Sequence, residues 1–128
     1  MARSRPNPDE LLPLTAAVFH VLLALVDQER HGYAIMSEVT ERTDGQIKLG
    51  PGTLYGTIRR LLEGALIEES EERPDAELDD ERRRYYRLTD FGRQVIQAEV
   101  QRYAKMVKIA RASGLLASRL LSGAEVSA

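Results

Sequence analysis

The chain has 128 residues, 18 of them basic and 20 acidic, for a net charge of −2, with no cysteine and no tryptophan. That length predicts one domain with a core large enough to fold without staples. The lack of cysteine excludes disulfide frameworks, thiolate metal sites and cysteine nucleophiles, and two histidines leave little scope for imidazole chemistry.

The first residues, 1–13, are polar and proline-containing and read as an N-terminal arm. Thr15 can cap a first helix running to about Val26, apolar nearly all round and therefore expected in the middle of the core. His20 within it reads as a satisfied core histidine. The apolar run is too short to cross a bilayer and no small-residue cleavage site follows it, so no membrane partner and a cytoplasmic location are expected. Gln28 to His31 form a polar turn, with His31 a turn or capping residue. A second helix follows from about Gly32 to Arg42, with apolar positions at Tyr33, Ile35, Met36 and Val39 and a stop at Asp44-Gly45. Ile47 to Leu49 read as a short extended piece.

Gly50-Pro51-Gly52 open a third helix, whose Leu54, Ile58, Leu61 and Leu62 fall on one face, and Gly64 ends it. Two helices joined in this way form a helix-turn-helix. Ala65 to Glu69 and Arg84 to Leu88 read as paired strands around a loop. Nine acids lie between Glu68 and Glu81, directly followed by Arg82-Arg83-Arg84. The expected fold is mainly α with a small two-stranded β wing: a winged helix-turn-helix domain over 14–88. Thr89 caps a last helix to about Ala112, and Ile96, Val100, Tyr103, Val107 and Ala110 recur on it as a heptad stripe. Residues 89–121 are therefore expected to be a dimerisation region, with a short final helix over Leu115–Leu121, and 122–128 a flexible tail. A two-fold dimer would present two third helices to an inverted repeat.

The outer side of the third helix carries Gly52, Thr53, Gly56, Arg59 and Arg60, with Tyr55 on its flank. Arginine and hydroxyl donors of this kind read guanine edges and phosphates. The helix start at Gly50-Pro51-Gly52-Thr53 offers free N–H groups and a positive dipole end to a phosphate. Arg82, Arg83 and Arg84 at the wing base suit phosphate or the minor groove; the other reading is a solvated charge run paired with Asp79, Asp80 and Glu81. No nucleophile–base pairing, phosphate-cradling glycine loop or metal cluster is legible, so neither an enzyme nor a cofactor is expected. The rival reading is a winged-helix docking module that contacts another protein through the acidic loop and does not bind DNA.

HGYAIMSEV at 31–39, LGPGTLYGTIRRLLEGALIE at 49–68 and RRRYYRLTDFGR at 82–93 resemble the PadR family of bacterial transcriptional repressors. With FHVLLAL at 19–25 the resemblance covers about residues 14–93, and HGY, GTLY, RRxYRLT and TxxG stand in the family's order and spacing. The resemblance, which is to the small-tailed branch with a single long C-terminal helix, implies a homodimeric winged helix whose third helix reads DNA. It further implies repression of detoxification or drug-export genes, with release by a small aromatic or drug-like effector at the dimer interface. Two departures stand out: Gly56 replaces the proline that often follows GTLY, and the lack of tryptophan excludes a Trp-sandwich drug pocket. The expected DNA contacts are Tyr33, Gly50, Pro51, Gly52, Thr53, Tyr55, Gly56, Arg59, Arg60, Arg82, Arg83, Arg84 and Tyr86. The expected dimer seam is Ile96, Val100, Tyr103, Val107 and Ala110.

Overall fold

The computed structural model describes residues 7–70 and 84–116, and it is built around the helix that is apolar on every side. That helix, α1 (Ala16–Ala24), starts where Thr15 Oγ1 accepts the Val18 N–H at 3.2 Å. It ends two residues earlier than its apolar pattern suggests, because the Leu25 and Val26 N–H groups bond back to Leu22 and Leu23 and tighten the last turn. Its exposed carbonyls are met by arginines from three other segments. Arg30 Nε donates to Ala24 O at 2.7 Å, Arg42 Nη1 to Leu23 O at 3.3 Å and Arg93 Nη2 to Val26 O at 3.4 Å. These cations add to the hydrogen bonding of carbonyls at and just beyond the helix end and complement its negative pole.

Helix α2 (Gly32–Arg42) is capped by His31, whose Nδ1 accepts the Ala34 N–H at 3.2 Å. Its C-terminus closes through Asp44 and Gly45, both in the left-handed region, with the Gly45 N–H returning to Thr40 O at 2.8 Å. Thr43 locks this turn: its hydroxyl donates to Val39 O and accepts the Ile47 N–H. Helix α3 (Pro51–Glu63) then buries Leu54, Thr57, Ile58 and Leu61 against α1.

The sheet has three strands rather than the two expected. β1 (Arg30–His31), β2 (Ile67–Ser70) and β3 (Tyr85–Leu88) lie in the antiparallel order β1-β3-β2. β1 falls in the segment expected to be a turn. Two residues carry no readable periodicity, and their pairing with Tyr86 and Tyr85 is non-local. β2 starts at Ile67 rather than Ala65, because Ala65 takes a φ of 63° to leave α3.

Helix α4 (Asp90–Ala112) is capped by Thr89, and its first half packs into the core through Phe91, Val95 and Ile96. Thr89 also ties α4 to the end of α3: its hydroxyl donates to Ala65 O at 2.6 Å while it accepts the Gly92 N–H at 2.9 Å. Gly92 sits so close to Leu66 that a Cβ there would lie 1.9 Å from the Leu66 carbonyl oxygen. Deeper along α4, the fully buried Glu99 carboxylate accepts the Leu14 N–H at 2.9 Å and is clasped by Arg102 at 2.6 and 3.1 Å. This bond fastens the segment between a 3-10 turn (Pro8–Leu11) and α1 onto α4. The Arg102 hydrogen bonds hold the Glu99 carboxyl below its usual range against the opposing effect of desolvation. The final helix expected over Leu115–Leu121 falls mostly outside the described residues.

Candidate nucleic-acid interface

The outward side of α3 is open along most of its length. Gly50, Pro51, Gly52 and Thr53 are all exposed at its start. No side chain caps Gly50 and no acid stands in the first turn, so the N-terminal N–H groups keep their capacity to meet an anion. Arg59 and Arg60 are exposed about two turns further on, and among the described residues neither forms an ion pair. Arg60 is steadied by its own helix, donating to Thr57 Oγ1 at 3.4 Å. Around Gly50 and Gly52 there is open space, and a Cβ at Gly56 would meet only the Arg60 guanidinium at 3.8 Å. Packing within the chain therefore does not demand glycine at Gly52 or Gly56.

Tyr33 stands 68% exposed in the first turn of α2, unlike the apolar core position its spacing suggests. Tyr55, 38% exposed, is partly committed to structure. Its ring lies against Gly32, where a Cβ would come within 2.4 Å of the Tyr55 hydroxyl. HGY and GTLY therefore belong together physically: the glycine of one makes room for the tyrosine of the other, and that contact fixes the start of α2 against α3.

Tyr86 requires correction as a DNA contact. It is 6% exposed and belongs to the core, and burial pushes its hydroxyl pKa up, with the Glu69 charge adding to the effect. Its place in an aromatic strand made it look like a wing-surface residue, but side chains alternate along β3 and Tyr86 falls on the inner face. Arg82 and Arg83 lie outside the described residues, as does most of the acidic loop. Arg84 is exposed and pairs with Glu69 at 3.0 Å, not with Asp79, Asp80 or Glu81. On the other face of the sheet, Arg87 joins Glu68 at 2.9 Å and Glu29 at 3.6 Å.

The heptad stripe of α4 also divides. Ile96 requires correction as a seam residue: it is 3% exposed and packs in its own chain's core. Tyr103 is half-buried against Phe19, ring centroids 5.1 Å apart, and beneath the Arg102 guanidinium. Val100 and Val107 are exposed and Ala110 half-buried, while Met106 and the 65% exposed Ile109 add apolar surface that the stripe did not include. Near the middle of α4, Leu23, Val26, Ile96 and Val100 line an open cleft of about 260 Å3 between α1 and α4, rimmed by Arg93, Gln97 and Gln101. Sequence reasoning also missed Glu99, because a glutamate among polar helix residues gives no sign that its carboxylate will be buried.

Among the described residues no group of three or more histidines or acids could hold a metal, and no helix is long and apolar enough to cross a membrane.

The chain is similar over 86 residues, at 37% identity, to an uncharacterized 37.1 kDa protein in transposon TN4556 of Streptomyces fradiae, which covers 67% of this chain and 22% of that protein. A second relative, uncharacterized protein X of Lysinibacillus sphaericus, is 29% identical over 70% of this chain and 79% of its own length. Among solved structures, a PadR family transcription regulator from Clostridium difficile R20291 superposes with a TM-score of 0.63 at 24% identity, over 76% of this chain and 96% of that one. PadR of Bacillus subtilis, solved in complex with operator DNA, superposes with a TM-score of 0.57 at 20% identity, over 67% of this chain and 47% of the other. These likenesses show the winged-helix fold. The model of the transcriptional regulator PadR-like family matches residues 21–98, from α1 through the sheet to the buried half of α4, and the chain therefore belongs to the PadR-like family of transcriptional regulators.

Proposed function

We propose that the chain is a cytoplasmic, homodimeric repressor that reads an inverted-repeat operator with α3. The observation that carries this reading is the outward face of α3. An uncapped, acid-free N-terminal turn lies in line with two glycines that chain packing does not require and two arginines with no described ion-pair partner. Such a face offers N–H groups to phosphate, a close backbone approach to the groove and guanidinium donors to base edges. Tyr33 and Arg84, both exposed, are further DNA contacts in this reading. The exposed apolar half of α4, with Val100, Met106, Val107 and Ile109, supports pairing of two copies there. The α1–α4 cleft, about 260 Å3 and mostly apolar, has room for one small aromatic effector near that seam.

The test is binding to the duplex upstream of the chain's own gene, measured across a salt series for wild type and Arg59→Ala/Arg60→Ala. The expected result is sequence-preferring binding that weakens with salt, with lower affinity and a shallower salt slope in the variant. If wild type bound neither this duplex nor random DNA at low salt, the docking-module reading would replace this one.

A further inference from the structure

The one wing arginine described on the α3 side of the sheet is already engaged. Period-two alternation puts Arg84 on the same face of β3 as the buried Tyr86, and puts Arg87 on the opposite face. Glu69 is paired in register with Tyr86, so it shares that inner face, and its carboxylate accepts from Arg84 Nη1 at 3.0 Å. Tyr86 shares the core with Leu54 and Ile58 of α3, which places this face of the sheet toward α3. Both members of the pair are partly exposed, 44% for the Arg84 side chain and 38% for Glu69. An exposed pair of this kind is weak enough to exchange for another anion. The Arg87–Glu68–Glu29 group on the far face forms a separate network and does not compete for Arg84.

We propose that Glu69 is a built-in competitor for the phosphate that Arg84 binds, so that Arg84 reaches DNA only by exchanging its carboxylate partner for a phosphate oxygen. The proposal rests on the DNA-binding reading above. In the free protein Arg84 is neutralised by Glu69. On binding, its guanidinium exchanges the carboxylate for a phosphate oxygen, and Glu69, left without its partner, recruits a cation from solution. That cation uptake offsets one of the counterions released from DNA. Glu69 therefore lowers affinity for every duplex and flattens the salt dependence.

The experiment is a double-mutant cycle of Glu69→Gln and Arg84→Ala, read by binding to the upstream duplex and to random duplex over a salt series. Both positions are exposed, and melting curves confirm folding of each variant. Glu69→Gln is expected to raise affinity about two- to fivefold on both duplexes and to steepen the salt slope by up to about one. In the Arg84→Ala background the same change is expected to raise affinity less than about twofold. Equal gains in both backgrounds would mean that Glu69 merely repels DNA, and no gain in either would mean that it does not compete; both outcomes overturn the proposal while leaving the DNA-binding reading intact. Absence of any DNA binding by wild type overturns that reading, and this proposal with it.

Discussion

Two parts of this molecule carry glycine for opposite reasons. Where α4 starts, Gly92 is pressed against the backbone of Leu66, and a Cβ would overlap its carbonyl. On the outer side of α3, Gly52 and Gly56 have nothing of their own chain that a Cβ would strike. The first glycine is there because the fold closes on it. Of the other two, Gly56 lies in mid-helix and weakens a helix that would be more stable with alanine, since a glycine there costs up to about 1 kcal/mol. On the DNA-binding reading such a cost marks a surface shaped for the partner, and the contrast separates the glycines that packing requires from those it does not.

The contrast is broken most sharply at the α4 joint. Gly92→Ala must push Leu66 and the start of α4 apart, undoing the Thr89 bonds to Ala65 and Leu66 together with the contact. A loss of about 4 kcal/mol or more is expected, visible as a collapse of the urea midpoint or as failure to fold. A midpoint within 1 kcal/mol (about a fivefold change in the folding equilibrium) of wild type would mean that the joint yields easily. The next largest effect lies farther along the same helix. Glu99→Ala leaves the Leu14 N–H and the Arg102 guanidinium without their acceptor, and roughly 2–4 kcal/mol should be lost. Because the folded carboxyl titrates below its usual range, its stabilisation is complete above the unfolded value. It is lost as pH falls through the lower, folded one. The acid limb of the wild-type stability curve should therefore be steeper than that of Glu99→Gln, and identical limbs would remove Glu99 from the acid response.

Most of the architecture is legible in the sequence, because helix periods and caps are local. Thr15, Thr89 and the step from Gly50 to Pro51 mark helix starts that the structure keeps. What escapes is what depends on a distant partner. β1 exists only through β3, Tyr86 is buried by a face that β3 acquires on pairing, and Ile96 sits in the core because α1 covers it. Glu99 looks like any solvated glutamate until Leu14 is brought to it from 85 residues away. The candidate site is more legible than the core in one respect: exposed arginines and a proline at a helix start speak for themselves. It is less legible in another, since GTLY reads as a contact motif although its tyrosine spends its ring on Gly32.

That tyrosine gives an intermediate case, where glycine is needed but its neighbour is a side chain. Gly32→Ala should cost about 1–3 kcal/mol, because the Tyr55 ring must swing off α2. Adding Tyr55→Phe removes the nearest atom and should return part of that loss in thermal melts. If the double variant is no more stable than Gly32→Ala alone, the crowding is not at the hydroxyl.

The smallest change in stability is expected to carry the largest change in binding. Gly56→Ala meets no neighbour except the movable end of Arg60, so the free protein should gain about 0.5–1 kcal/mol from the better helix former. If the missing Cβ lets the α3 backbone approach the groove, the same variant should bind the upstream duplex at least tenfold more weakly, a loss of about 1.4 kcal/mol in binding. Stability and affinity then move in opposite directions, which neither a general folding defect nor a neutral surface change can produce. A variant that gains stability and keeps its affinity would show that Gly56 is only an unoptimised half-buried position. The distinction between glycines that the fold needs and glycines that the partner needs would then fail on the face of α3 where it matters most.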